Sequence, residues 1–351
     1  MRCEALSALV NLTCDSDANR NLFIEVGGVA PVVESALNAE DSFVVEQAVR
    51  CLCNVSYNNP YTASKVLNTH GCEAIAAAFE VSDITRHHEV VEACMVAFAN
   101  MSNNEMNQTH VGASQAPKCA MQACQHAPHP DVKRAAANAV SAMAYKSPMN
   151  KGRLVGLGAI ATLLGVAERH GFGPTMRTKP YAGAVEAACA CLASLITYKP
   201  NRLPFVEGNG IGLMVRLCNE AEDMRVLTAA SMALASMAPT PEERSDAAAE
   251  GRTIPMEGAG AADALVRCQQ WVFGRAAPPQ WLTEAIEILS MDDQALGDEK
   301  RRLHGQDHAA PEPKEYLPRV ALFREVATDI FPDHETTRSD GEISKLLFKI
   351  Y

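Results

Sequence analysis

One short pattern returns along this chain at nearly even intervals, and that periodicity limits the fold more than any other feature. ALVNLTC (8–14) is matched by CLCNVSY (51–57) and AFANMSN (97–103). With Asn11 as a ruler mark, the equivalent positions are Asn54, Asn100, Ala142, Ser194 and Ser236, at steps of 43, 46, 42, 52 and 42 residues. Six residues before the mark stand Ala5, Ala48, Cys94, Ala136, Ala188 and Ala230; three before it stand Ala8, Cys51, Ala97, Ala139, Cys191 and Ala233. Two before it stand Leu9, Leu52, Phe98, Val140, Leu192 and Leu234; one after it stand Leu12, Val55, Met101, Met143, Leu195 and Met237. Offsets spaced by three, one and three residues trace one face of an α-helix. A helical unit of this length repeated in register predicts a stacked array, in which each unit buries its apolar face only against its neighbours.

The segments between marks correspond as well. NRNLFIEVGGVAPVVESAL, NPYTASKVLNTHGCEAIAAAF, NKGRLVGLGAIATLLGVA and NRLPFVEGNGIGLMVRLC each read as a short helix, a glycine-containing break and a second helix. Glycine suits the break because it adopts positive φ without a Cβ penalty. A third helix opens with segments such as DSFVVEQAVRCL, HPDVKRAAANAV and DMRVLTAASMAL, where Asp41, Asp131 and Asp223 suit N-caps. The composition agrees: 48% of the chain is apolar but only 5% is aromatic, which favours closely packed helices over sheets.

These residues resemble the armadillo-repeat family, whose pattern is N-x-x-x-(I/L)-x-x-x-G-G-(V/I/A) for the first two helices and A-x-x-A-L-x-N-L-(S/T/A) for the third. The match is close at 19–58, moderate at 59–104, 147–198 and 199–240, weak in the first half of 105–146, and a poor copy is expected at 241–291. The resemblance implies an all-α, right-handed α-solenoid of three-helix repeats whose third helices line a concave groove. It also implies that the Asn of the marked column bonds the backbone of an extended peptide, since an amide offers a donor and an acceptor together. Carried over residue by residue, that gives Asn11, Asn54 and Asn100 as peptide-binding positions, with Arg50, Asn138, Ser194 and Ser236 completing the candidate groove. The same amides are equally able to hydrogen-bond within the solenoid. The family's nuclear-import receptors place Trp four residues before the mark; here stand Ser7, Arg50, Val96, Asn138, Ala190 and Met232, so that function is not expected. Arg50 instead suits an acidic group on a ligand.

The ends and one insertion depart from the repeat. Residues 1–18 supply only a third helix, whereas a solenoid end normally needs a polar cap; either sequence is missing before Met1 or a partner covers this edge. HGFGPTMRTKPYAG (170–183) accounts for the long step and reads as a loop inserted between a second and a third helix. Residues 292–318 form a charged linker, and 319–351 read as a helical tail, with Val320, Phe323, Ala327 and Ile330 on one stripe. The tail is expected to cap the last repeat or to dock on another protein.

Chemistry is sparse. The net charge of -11 comes without a basic stripe, so nucleic acid is not an expected partner. No run of 18 apolar residues and no secretory leader are found, which points to a cytoplasmic protein, open to the nucleus or to a cytoskeletal assembly, whose 12 cysteines are thiols. Cys51, Cys94 and Cys191 occupy columns that hold Ala elsewhere and read as core. Cys119, Cys124, His126 and His129 offer metal-ligating types without the usual paired spacing of a zinc site, so no metal or other cofactor is expected. His87 and His88 are expected at an exposed helix start. Phosphate-loop, G-x-S-x-G and HExxH motifs are missing from the sequence, and an enzyme is not expected. The favoured reading is a non-enzymatic adaptor or scaffold that takes an extended partner segment along residues 1–104. The alternatives are a fixed subunit of a large assembly, contacted at its N-terminal edge and tail, and a regulator of a chaperone or small GTPase.

Overall fold

A computed structural model describes residues 2–173, 178–240, 243, 255–256, 259–273 and 277–290. The linker and tail expected at 292–351 lie outside these residues. Among the described residues there are eighteen α-helices and no strands. α1 (Arg2–Cys14) stands alone. Three-helix units follow: α2 (Asp17–Glu25), α3 (Val29–Asn38) and α4 (Ser42–Val55); α5 (Pro60–Asn68), α6 (Gly71–Val81) and α7 (His88–Ser102); α8 (Glu105–Ala113), α9 (Ala116–His126) and α10 (Pro130–Ala144). Next come α11 (Pro148–Gly156), α12 (Ala159–His170) and α13 (Lys179–Ile196), then α14 (Arg202–Glu207), α15 (Gly210–Glu220) and α16 (Met224–Met237). α17 (Ala261–Cys268), a π-turn (Gln269–Phe273) and α18 (Gln280–Ser290) close the series.

The units stack in rows. Third helices pack in the order α1, α4, α7, α10, α13, α16, and second helices in the order α3, α6, α9, α12, α15, α17. The core is accordingly one strip running from Leu6 to Ala285. The repeating apolar columns make this strip. Ala48, Cys51, Leu52 and Val55 of α4 are fully buried, as are Cys94, Ala97, Phe98 and Met101 of α7 and Ala188, Cys191, Leu192 and Leu195 of α13.

Local chemistry sets the helix boundaries. Ser16, Asn59, Asn104 and Ser147 each cap the first helix of a unit, their side-chain oxygens accepting from backbone N–H groups of the opening turn. Asp41 and Asp223 cap α4 and α16 as the sequence suggests. Asp131 does not cap α10. Pro130 opens that helix, because its fixed φ and missing N–H suit the first helical position, and His129 stands at the cap without a side-chain bond. Asp131 lies inside the first turn, paired with Arg134 at 3.2 Å.

The break between first and second helices is a left-handed residue in every full unit but one: Gly27 (φ 74°), His70 (61°), Gly158 (85°) and Asn209 (58°). The residue that follows must be small for a different reason. A Cβ on Gly28 would lie 2.5 Å from the Phe23 ring, and one on Gly210 would lie 2.5 Å from the Phe205 ring. The paired glycines of the motif therefore have two tasks, a backbone turn and then a close helix approach.

The insertion is shorter than its composition suggests. α13 begins at Lys179 and takes in Pro180 and Gly183, so the last five residues of the expected loop are the first turns of an 18-residue helix. Pro180 sits where the helix needs no N–H from it, and Gly183 leaves room for the Arg134 stem, to which a Cβ would approach within 3.1 Å.

Candidate functional site: the exposed side of the third-helix row

On each third helix the residues eight and four before the mark, the mark itself and the residue three after it share one stripe. In α4 these are Glu46, Arg50, Asn54 and Tyr57, all half-buried or exposed within a helix that is otherwise mostly buried. In α7 they are Glu92, Val96, Asn100 and Asn103; in α10, Arg134, Asn138, Ala142 and Tyr145. From α4 to α10 this stripe is the face that the row leaves largely uncovered, although Asn100 is buried; on α16 its members Thr228, Met232 and Ser236 are all buried.

The marked column is tied into the fold on one side. Asn54 Nδ2 donates to the carbonyl of Val10 at 3.0 Å, and Asn100 Nδ2 donates to the carbonyl of Cys53 at 3.1 Å. Each amide thus reaches the residue just before the previous mark. The reason is visible at Cys53: the amide of Tyr57, which would close the helix on that carbonyl, bonds Asn54 O instead, and a last-turn carbonyl needs another donor. Asn11 is exposed and Asn100 is buried, so exposure of the column falls from α1 to α7. Asn138 and Ser194 are half-buried. Ser236 is buried and its hydroxyl donates to its own helix at Met232 O.

A second ladder escaped the sequence reading. On the first helices, and at the start of α14 in the case of Asn201, Asn19 Nδ2, Asn150 Nδ2 and Asn201 Nδ2 donate to the carbonyls of Leu12, Met143 and Leu195 at 2.7, 2.9 and 2.9 Å, and Thr62 Oγ1 donates to Val55 O. All four acceptors stand one residue past a mark. Asn150 and Asn201 also reach Gln108 O and Lys151 O in the preceding unit. The signal was the Asn that opens N-x-x-x-(I/L), four residues before Phe23, Leu154 and Phe205.

Charges on the stripe and at the starts of the third helices pair with one another. Arg50 meets Glu46 at 2.9 Å, Arg134 lies 3.9 Å from Glu92 and 3.2 Å from Asp131, and Arg225 meets Asp223 at 2.8 Å. Glu92 is the least settled member, since its Oε1 is buried without a hydrogen bond. Burial, with Asp131 nearby, raises its pKa against the opposing pull of Arg134, His88 and Arg50. At Asp223, burial works against the charge, but the hydrogen bonds and field of Arg225 outweigh it and hold the pKa below the ordinary carboxylate value.

The cysteines are unpaired, and ten of them are buried. Burial pushes Cys51, Cys53, Cys119, Cys124 and Cys189 up to about 12, so they are protonated core groups at neutral pH. Cys119 and Cys124 sit inside α9, His126 is exposed at its end, and His129 stacks on His88 with ring centroids 3.9 Å apart. Among the described residues no group of three or more His, Cys, Asp or Glu is arranged to hold a metal ion. His88 and its neighbour His87 are both half-buried rather than exposed. No described helix is long and apolar enough to cross a membrane.

No family model matches the sequence, and no curated protein is recognisably similar to it. Solved structures do resemble the fold. A designed armadillo repeat protein has a TM-score of 0.59 at 18% identity, covering 76% of this chain and 99% of that one. Another designed armadillo repeat protein, in complex with peptide (KR)4, has a TM-score of 0.58 at 17% identity, with coverage of 76% and 99%. An engineered protein reaches 0.61 at 19% identity, covering 86% of this chain and 73% of that one. The chain therefore has the fold of an armadillo-type α-solenoid.

Proposed function

We propose that this protein is a non-enzymatic adaptor that holds an extended segment of a protein partner along the exposed stripe of α1, α4 and α7. The observation that carries this reading is the stripe itself. Asn11, Arg50, Asn54, Tyr57 and Asn103 are exposed or half-buried on neighbouring third helices, and they present polar positions in successive repeats to a backbone that needs partners. Peptide binding by a designed protein of the same fold supports the reading by analogy. Unpaired thiols suit a reducing, cytoplasmic setting.

The structural bonds of Asn54 and Asn100 direct the test elsewhere. Asn11 is exposed, and Arg50 pairs with Glu46 on its own helix; because Arg50→Glu sets two carboxylates one turn apart, the melting of Asn11→Ala and Arg50→Glu is compared with the parent before binding is read. Random 12-residue peptides displayed on phage are selected on the immobilised full chain, and their affinities are then measured for both variants. One lost hydrogen bond is worth about 0.5–1.5 kcal/mol, so Asn11→Ala should weaken binding roughly 2–10-fold, and Arg50→Glu should weaken acidic peptides more. Selected peptides that bind both variants as tightly as the parent would put recognition on another surface.

A further inference from the structure

We propose that the starts of α7 and α10 form a pH-sensitive joint, in which His88 and His129 stack while at most one of them carries a proton and part once both do. The sequence puts the pieces in place. RHHEVV (86–91) sets two histidines at the start of α7, and HAPHPD (126–131) sets His129 just before the proline that opens α10. The third-helix row lays α10 against α7. The two rings meet with centroids 3.9 Å apart and planes 12° apart. This contact ties the second three-helix unit to the third, and it does not depend on what the groove holds.

The contacts of these imidazoles weaken as protons accumulate. A proton on each ring of the stack sets like charges face to face at 3.9 Å. His88 is the first residue of α7 and His129 the cap of α10, and the start of a helix disfavours a positive charge. Beside them, the N–H of Asp83 donates to His87 Nδ1 at 3.2 Å, and a proton on that nitrogen removes the acceptor. Three imidazoles at one junction thus change their contacts over the pH range in which histidine gains its charge.

The surrounding charges absorb one proton but not two. Glu89 Oε1 lies 3.2 Å from His88 Nε2 and balances the first. Other carboxylates are engaged by arginine: Asp83 with Arg86 at 3.5 Å, Asp131 with Arg134 at 3.2 Å, and Glu46 of α4 with Arg50 at 2.9 Å. Glu92 lies 3.9 Å from Arg134. Burial raises its pKa, so acid neutralises it early and withdraws a charge that would have offset an imidazolium. The remaining packed elements add no counter-charge at the stack. Glu80 is exposed at the end of α6 and Lys179 at the start of α13. Glu186 of α13 acts on Arg225, and Lys133 of α10 turns to Cys124 O at 2.6 Å. His126, exposed at the end of α9, only adds positive charge in acid.

Hydrogen–deuterium exchange on the full chain at pH 7.5 and pH 5.5, read as protection factors so that the intrinsic pH dependence drops out, tests this. The reporters are the amides of Val91 and Lys133, which close the first turns of α7 and α10 on the carbonyls of His87 and His129. Their protection should fall about tenfold at the lower pH, with α13 and α16 unchanged. His129→Phe keeps a flat ring that cannot charge and should hold both amides protected at pH 5.5. Glu92→Gln should leave the fall in place. Equal protection of the parent at both pH values overturns the proposal, as does a parallel fall in α13 and α16 or an undiminished fall in His129→Phe. Disappearance of the fall in Glu92→Gln also overturns it, by moving the switch from the histidine pair to the carboxylate. A ring-resonance NMR titration of the parent gives a second reading that needs no variant: His88 and His129 should take up their protons in two separate steps, and simultaneous single-step curves would contradict the coupling.

Discussion

At the scale of single residues, the marked asparagines were legible as a column but not as donors, because sequence does not say which way an amide turns. The structure orders them by what each one holds. Asn11 should tolerate Ala within about 0.5 kcal/mol, as an exposed position without a fixed partner. Asn100→Ala frees a buried carbonyl at Cys53 and should cost about 1–3 kcal/mol. Asn150→Ala loses two bonds from a buried side chain and should cost roughly 2–4 kcal/mol. Urea melts of the three variants check the order, and a destabilising Asn11→Ala would break it. Glu92 gives a prediction in pH. Its folded pKa is raised, so the folded state binds its proton more tightly than the unfolded chain does; ionised Glu92 lowers stability above that pKa, and the penalty fades as pH falls through it. Glu92→Gln should therefore raise the melting temperature at pH 7.5 and leave it nearly unchanged at pH 4. Thiol chemistry supplies a third check: in the native chain only Cys14 and, more slowly, Cys3 should react readily with iodoacetamide, as the two cysteines that are not buried.

At the scale of elements, the three-helix unit was readable because its apolar spacing repeats in register, and chance does not reproduce that six times. Boundaries were less readable where proline intervened. Pro130 displaced the cap from Asp131, and Pro180 let α13 begin inside a segment whose Gly and Pro content suggests a loop. In both cases a residue that breaks helices in their interior is harmless in their first turn. The glycine pair is separable by experiment. His70 holds φ 61°, a left-handed value that penalises a side chain, so His70→Gly should stabilise by about 1 kcal/mol. Gly210→Ala pushes a methyl against the Phe205 ring and should destabilise by about 1–3 kcal/mol. Thermal melts that moved both variants in the same direction would contradict the division of tasks.

At the scale of the whole molecule, stability is distributed along a line, since each unit touches only the next. Exchange in the untreated chain should be slowest in α7, α10 and α13 and faster toward α18, because among the described residues inner units have two neighbours and the last has one. Fold class was legible at this scale because a repeated pattern has few ways to bury itself. The exposed stripe was only half legible: Arg50 pairs with Glu46 one turn away, but Arg134 reaches Glu92 from 42 residues further along the sequence. One feature of the stacking also bears on how the array is made. The interunit bonds of Asn54, Asn100, Asn150 and Asn201 all run backward, from a later unit to a carbonyl in the one before it. A ribosome releases the earlier unit first. Every asparagine therefore leaves the exit tunnel after its acceptor, and the growing end can lay each new turn of the spiral on a surface already set to receive it.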